Sequence, residues 1–125
     1  MYKELILKVS KGNDFVIIQP PCPESGIDRV EKAFGYPLPK ELRALLRELN
    51  GDKWLLLSAE EIIEQLGINK EMLSFYEEEG VKGVDRLIFF AGNGCGDYYC
   101  YRVGADGAPE ENAIYMWEHE EMRFD

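Results

Sequence analysis

The apolar residues of this chain change their spacing once, near Leu87, and that change limits what the chain can fold into. Before it they recur at helical intervals. Leu42, Leu45, Leu46 and Leu49 fall at i, i+3, i+4 and i+7, with Lys40, Glu41, Arg43, Arg47 and Glu48 on the opposite face. After it, Leu87 to Phe90, Tyr98 to Val103 and Ala113 to Trp117 are short runs of aromatic and branched residues bounded by Gly, Asp and Asn. Helices first and strands last predict an α+β fold with the three strands as antiparallel neighbours, and argue against the alternating order of a parallel α/β sheet. At 125 residues the chain has the size of one domain, so a single unit over 1–125 is expected.

Punctuation within the helical part is explicit. Leu5, Ile6, Leu7 and Val9 suggest a short first helix, closed by the turn Lys11-Gly12-Asn13-Asp14 and followed by an extended segment at Phe15 to Ile18. Pro20-Pro21-Cys22-Pro23 forces extended backbone. Ser25 with Asp28 reads as an acidic capping box for a helix carrying Ile27, Val30 and Phe34 up to Gly35. Pro39 is placed as the first residue of the leucine helix, and Asn50-Gly51 as its left-handed stop. Trp54 to Leu57 is a strand candidate. Ser58-Ala59-Glu60-Glu61 is a full capping box for a helix ending at Gly67, and Met72 to Tyr76 suggest one more helix before Glu77-Glu78-Glu79.

Charge narrows the function classes. The chain has 14 basic and 24 acidic residues, net −10, so attraction to a phosphate backbone cannot drive binding and direct nucleic-acid contact is disfavoured. Residues 1–59 carry nine basic and eight acidic side chains, whereas 60–125 carry five and sixteen. The second half alone holds −11, a field that repels anions and makes a basic protein the natural partner. No apolar run approaches the roughly 18 residues of a membrane span, and Met1 to Ser10 lacks the pattern of a secretory signal. A cytoplasmic location is the default. Three cysteines, Cys22, Cys95 and Cys100, are an odd number, so free thiols are expected rather than a disulfide framework.

Several landmarks stand in one order: Ile27-x-x-Val30-Glu31-x-x-Phe34-Gly35-Tyr36-Pro37-Leu38-Pro39-x-Glu41-Leu42, Leu49-Asn50-Gly51, Ile88-Phe89-Phe90-Ala91, Gly96-Asp97-Tyr98-Tyr99 and Ile114-Tyr115-Met116-Trp117-Glu118-His119. From about Pro20 to His119 the chain resembles the SUKH superfamily, the Smi/Knr-like domains of bacterial toxin-immunity proteins and fungal cell-wall regulators. The resemblance implies an α+β domain with a twisted antiparallel sheet and helices packed against it, one that acts by binding rather than by catalysis. An immunity protein against a toxin is the first role it implies, and a regulatory scaffold of the same fold is the alternative. Such toxins are commonly nucleases with basic clefts, which meets the acidic second half from the other side. Members continue past the histidine-bearing strand into a further helix. The resemblance therefore implies either a short variant or a lost tail here, where the chain stops at Asp125, and assigns no role to Met122 and Phe124.

Four constellations invite chemical readings. Gly92-Asn93-Gly94-Cys95-Gly96 lacks the lysine and the following helix of a phosphate loop, and reads as a β-turn whose backbone donates to Asp97. Cys22, Cys95, Cys100 and His119 match no zinc spacing, so neither a metal nor a cofactor is expected. His119 is the only histidine, and a pairing with Asp97 or Glu118 could make a general base. No serine with an elbow or oxyanion loop accompanies it, which leaves a small enzyme using His119 with Asp97 as the minor reading. The acidic residues form the remaining constellation. Glu118, Glu120 and Glu121, with Glu77, Glu78, Glu79 and Asp97, are expected to steer a basic partner, and Tyr98 and Tyr115 to supply buried aromatic contact.

Overall fold

Among the described residues, four strands follow one another in space as they do in sequence. They are β1 (Leu87–Gly92), β2 (Tyr98–Arg102), β3 (Tyr115–Glu118) and β4 (Arg123–Phe124), in the order β1-β2-β3-β4 and antiparallel throughout. The computed structural model describes all residues except Met122 and Asp125, and of Phe124 the backbone alone. The sequence does not predict β4, which pairs Glu118 with Arg123 and Trp117 with Phe124. Of the two residues singled out near the end of the chain, Met122 lies outside the described residues.

Among the described residues, five α-helices precede the sheet: α1 (Tyr2–Val9), α2 (Glu24–Phe34), α3 (Lys40–Glu48), α4 (Ala59–Glu71) and α5 (Leu73–Glu78). The fold is α+β, as the order of periodicities requires. The Ser58 capping box is present, with the Ser58 hydroxyl accepting from the Glu61 amide and Glu61 accepting from the Ser58 amide at 2.9 Å. Ser25 is not a cap. Helix α2 starts at Glu24 with Pro23 as its N-cap, two residues before Ser25, and the Pro23 carbonyl accepts from Gly26 and Ile27. Pro39 likewise stands just outside α3 rather than as its first residue. Helix α4 runs through Gly67 to Glu71, since Gly67 keeps a helical backbone.

Strand parity decides which side chains meet. Ile88 and Tyr101 face the buried side chains of α2, α3 and α4, among them Ile27, Val30, Leu42, Leu46 and Ile62. Leu87, Phe89, Cys100 and Trp117 face the other way, against Val84, Val81 and Tyr76 of α5. The leucine helix therefore does not pack on Phe89 and Trp117, and Tyr99 is 40% exposed. Leu42, Leu46 and Leu49 are buried, each burial contributing about 1.5–3 kcal/mol, while Leu45 is half-buried. The sheet is thus covered on both faces.

Neither expected extended segment joins the sheet as a strand. At Phe15–Ile18 alternate residues turn outward, Phe15 and Ile17 being exposed, and the backbone bonds to the loop at Gly51 and Asp52 instead. Trp54–Leu57 lies along the free edge of β1 through single bonds, Leu57 amide to Phe90 carbonyl and Gly92 amide to Leu55 carbonyl, both within 2.9 Å. Among the described residues no helix is long and apolar enough to cross a membrane.

Candidate functional site

The turn between β1 and β2 is organised by two side chains with divided roles. The Asn93 carbonyl oxygen accepts from the amides of Cys95 (2.8 Å) and Asp97 (3.2 Å). The turn backbone thus donates to Asn93, not to Asp97 as the sequence suggests. Asp97 is left to face outward, where one carboxylate oxygen accepts from both the backbone amide of His119 (3.0 Å) and its Nδ1 (2.7 Å). The other accepts from the Asn93 side-chain Nδ2 at 3.1 Å. These hydrogen bonds from His119 hold the Asp97 carboxyl below its usual range. Because an ionised carboxylate only accepts, Nδ1 carries the imidazole proton.

His119 stands just past the end of β3, with its ring over Gly96. A Cβ at 96 would lie 3.1 Å from Nδ1, and Gly96 has a φ of +94°. Glycine is needed there on both counts. Asp97, Glu118, His119, Glu120 and Glu121, with Cys95, line one shallow depression of about 290 Å³. Four of the expected acidic residues are thereby brought together. Their charge is partly answered within the chain, since Arg123 of β4 reaches Glu118 at 3.1 Å and Glu121 at 2.9 Å.

The other expected residues are placed elsewhere. Glu77 lines a separate depression with Lys82, Asp85, Arg86 and Arg102, and Glu78 and Glu79 are exposed at the end of α5. Tyr115 packs against the second core cluster and donates its hydroxyl to Glu110 at 3.1 Å. Tyr98 stacks on Phe89, with ring centroids 5.0 Å apart, and lines a neighbouring depression that also contains Asp97. That depression includes Trp54, Leu55, Leu57 and Glu61, none of which the sequence marks as functional.

Two chemical arrangements can be compared with this geometry. Cys22 and Cys100 are buried in different core clusters and Cys95 is exposed on the turn, so the three thiols and His119 do not converge. The three cysteines are unpaired, as their number suggests. Asp97 and His119 do form the orienting half of an acid–base pair. The amides of Cys95 and Asp97, however, are both committed to Asn93 and are not available to a developing oxyanion.

A family model decides the relationship. It describes the SMI1/KNR4 family (SUKH-1) and matches residues 21–125, all but the first 20. The chain belongs to the SMI1/KNR4 family. The match contains α2 to α5, the whole sheet and every residue of the acidic depression, while α1 lies outside it. No curated protein matches the chain. Outside the matched SMI1/KNR4 region, α1 packs beside α3 with none of its residues buried and makes polar contacts to it. The terminal amine and the Lys3 amide both donate to Glu48, at 2.7 and 3.0 Å, and the Tyr2 hydroxyl donates to Glu41.

Proposed function

We propose that this SMI1/KNR4 domain is a non-catalytic immunity protein that neutralises a basic, nuclease-type toxin by binding it. The observation that carries the reading is the depression where Asp97, Glu118, Glu120 and Glu121 meet. It offers carboxylates in the half of the chain that holds −11, and it lies inside the family match. A face of that sign raises the encounter rate with a basic cleft and opposes binding of the cleft's own nucleic-acid substrate. Catalysis has less support, because no serine with an elbow or oxyanion loop accompanies the Asp97–His119 pair and the amides of Cys95 and Asp97 already have an acceptor.

Co-expression with the product of each adjacent reading frame tests the proposal. One such product should arrest growth alone, lose that effect beside this protein, and purify with it as a one-to-one complex. Protection that persists when this protein is present at far below the toxin's amount would indicate turnover and overturn the binding reading. A stable complex with a product that is not toxic would instead favour the regulatory role.

A further inference from the structure

A tryptophan half in water requires a reason, and Trp54, 49% exposed, is held outward by its own loop. The buried Asp52 carboxylate accepts from the amides of Trp54 and Leu56, each at 2.9 Å, and Lys53 between them takes a φ of +58°. The loop is further fixed along the free edge of β1, so the indole is presented by a braced backbone. It forms one side of a depression of about 300 Å³ whose other lining includes Tyr98, Leu55, Leu57, Glu61 and Asp97. Both charged residues of that lining are carboxylates. The volume stands at the floor of roughly 300–1,000 Å³ usual for a small-molecule site, which suits one side chain better than a cofactor.

We propose that this depression receives an arginine side chain of the protein partner, its stem against Leu55 and Leu57 and its guanidinium between Trp54, Tyr98 and the carboxylates of Glu61 and Asp97. Tryptophan is the strongest aromatic acceptor for a cation, and a planar, weakly hydrated guanidinium stacks on a ring where an ammonium does not. Asp97 lines both this depression and the acidic one, so the two form a single continuous surface. The inference rests on the protein-binding reading and adds an anchor to it: the glutamates steer the partner, and the aromatic depression holds one residue of it.

The test is a titration of the isotopically labelled full chain with Nα-acetyl-arginine amide, using the citrulline analogue as the neutral isostere. Arginine at up to tens of millimolar should give saturable shifts of the Trp54 indole and of the Gly94, Gly96 and Tyr98 amides, and citrulline should not. Trp54→Ala should weaken the effect about fivefold or more. Glu61→Gln should weaken it as well, and because glutamine also serves in a capping box, this variant keeps the start of α4 intact. Shifts confined to Glu118–Glu121, equal shifts with citrulline, or no shifts at all would overturn the anchor while leaving the acidic face to stand. Failure of the co-expression experiment beside a positive titration would do the reverse.

Discussion

Asn93 and Asp97 lie four residues apart in one turn and accept from different donors. Asn93 is saturated by the turn, whereas Asp97 binds the residue after β3 and so ties β2 to the far end of its neighbour. The depressed Asp97 carboxyl fixes the sign of a pH effect. Its contribution to stability is complete above the unfolded value of about 4 and is lost as pH falls through the lower folded value. Asp97→Asn should therefore destabilise the protein at neutral pH, and the gap to wild type in urea midpoint should narrow as pH drops below about 4. A gap constant from pH 7 to pH 2 would show that the pair contributes nothing. The thiols offer a second check at this scale. Burial pushes Cys100 up to about 12 and raises Cys22, and both are inaccessible, while Cys95 is exposed. One equivalent of iodoacetamide should enter the native protein, at Cys95 alone, with the other two reacting only after unfolding. That Asp97 and His119 might pair was legible in the sequence, because they flank consecutive strands. The reversal of roles between Asn93 and Asp97 was not, because either side chain can cap such a turn and only the position of His119 selects between them.

At the scale of elements, the sequence shows which stretches are helical better than where each helix starts and stops, and it does not show which face of the sheet a helix meets. The Ser58 box needs only residues 58 to 61, and it is present as written. The stripe on α3 needs only its own period, yet the face of the sheet it meets depends on the parity of β1, which one residue of offset reverses. Leu46, 1% exposed among Ile88 and its neighbours, is the side chain to truncate. Leu46→Ala should cost about 2–5 kcal/mol in a urea melt, against about 1 kcal/mol for the half-buried Leu45. Equal losses would mean that the helix is rotated from its described orientation. Asn50-Gly51 has the sequence pattern of a helix stop, but α3 already ends on the extended Leu49. Its real use is tertiary. The Asn50 side chain accepts from the Ala59 amide at 2.7 Å, and Gly51, with a φ of +84°, sits where a Cβ would lie 2.9 Å from the Ser58 amide nitrogen. Gly51→Ala should thus destabilise by more than the roughly 1 kcal/mol expected of Ser58→Ala, because it meets both a forbidden φ and fixed backbone.

Across the whole molecule the acidic face is assembled from the β1–β2 turn and from the stretch between β3 and β4, which are adjacent only because the sheet is antiparallel throughout. The sequence displayed the charge but not its compensation by Arg123, since β4 is two residues long and carries no periodic signal. That compensation shapes the last prediction. Exposed carboxylates act on a partner beyond contact distance, over a Debye length of about 8 Å at physiological salt, and they chiefly change how fast the complex forms. With a basic partner in hand, Glu118, Glu120 and Glu121→Lys together should slow association about tenfold or more at low ionic strength, and added salt should slow wild type far more than the variant. Two of these reversals also place lysines beside Arg123 and would load β4 with like charge. Glu120→Lys alone leaves both Arg123 pairs in place, and it should slow association in the same direction by a smaller factor without changing the urea midpoint. If wild type, the single variant and the triple variant associate at equal, salt-independent rates, the glutamates serve solubility only, and the interface must be sought on the helices of the first half, whose charges nearly balance.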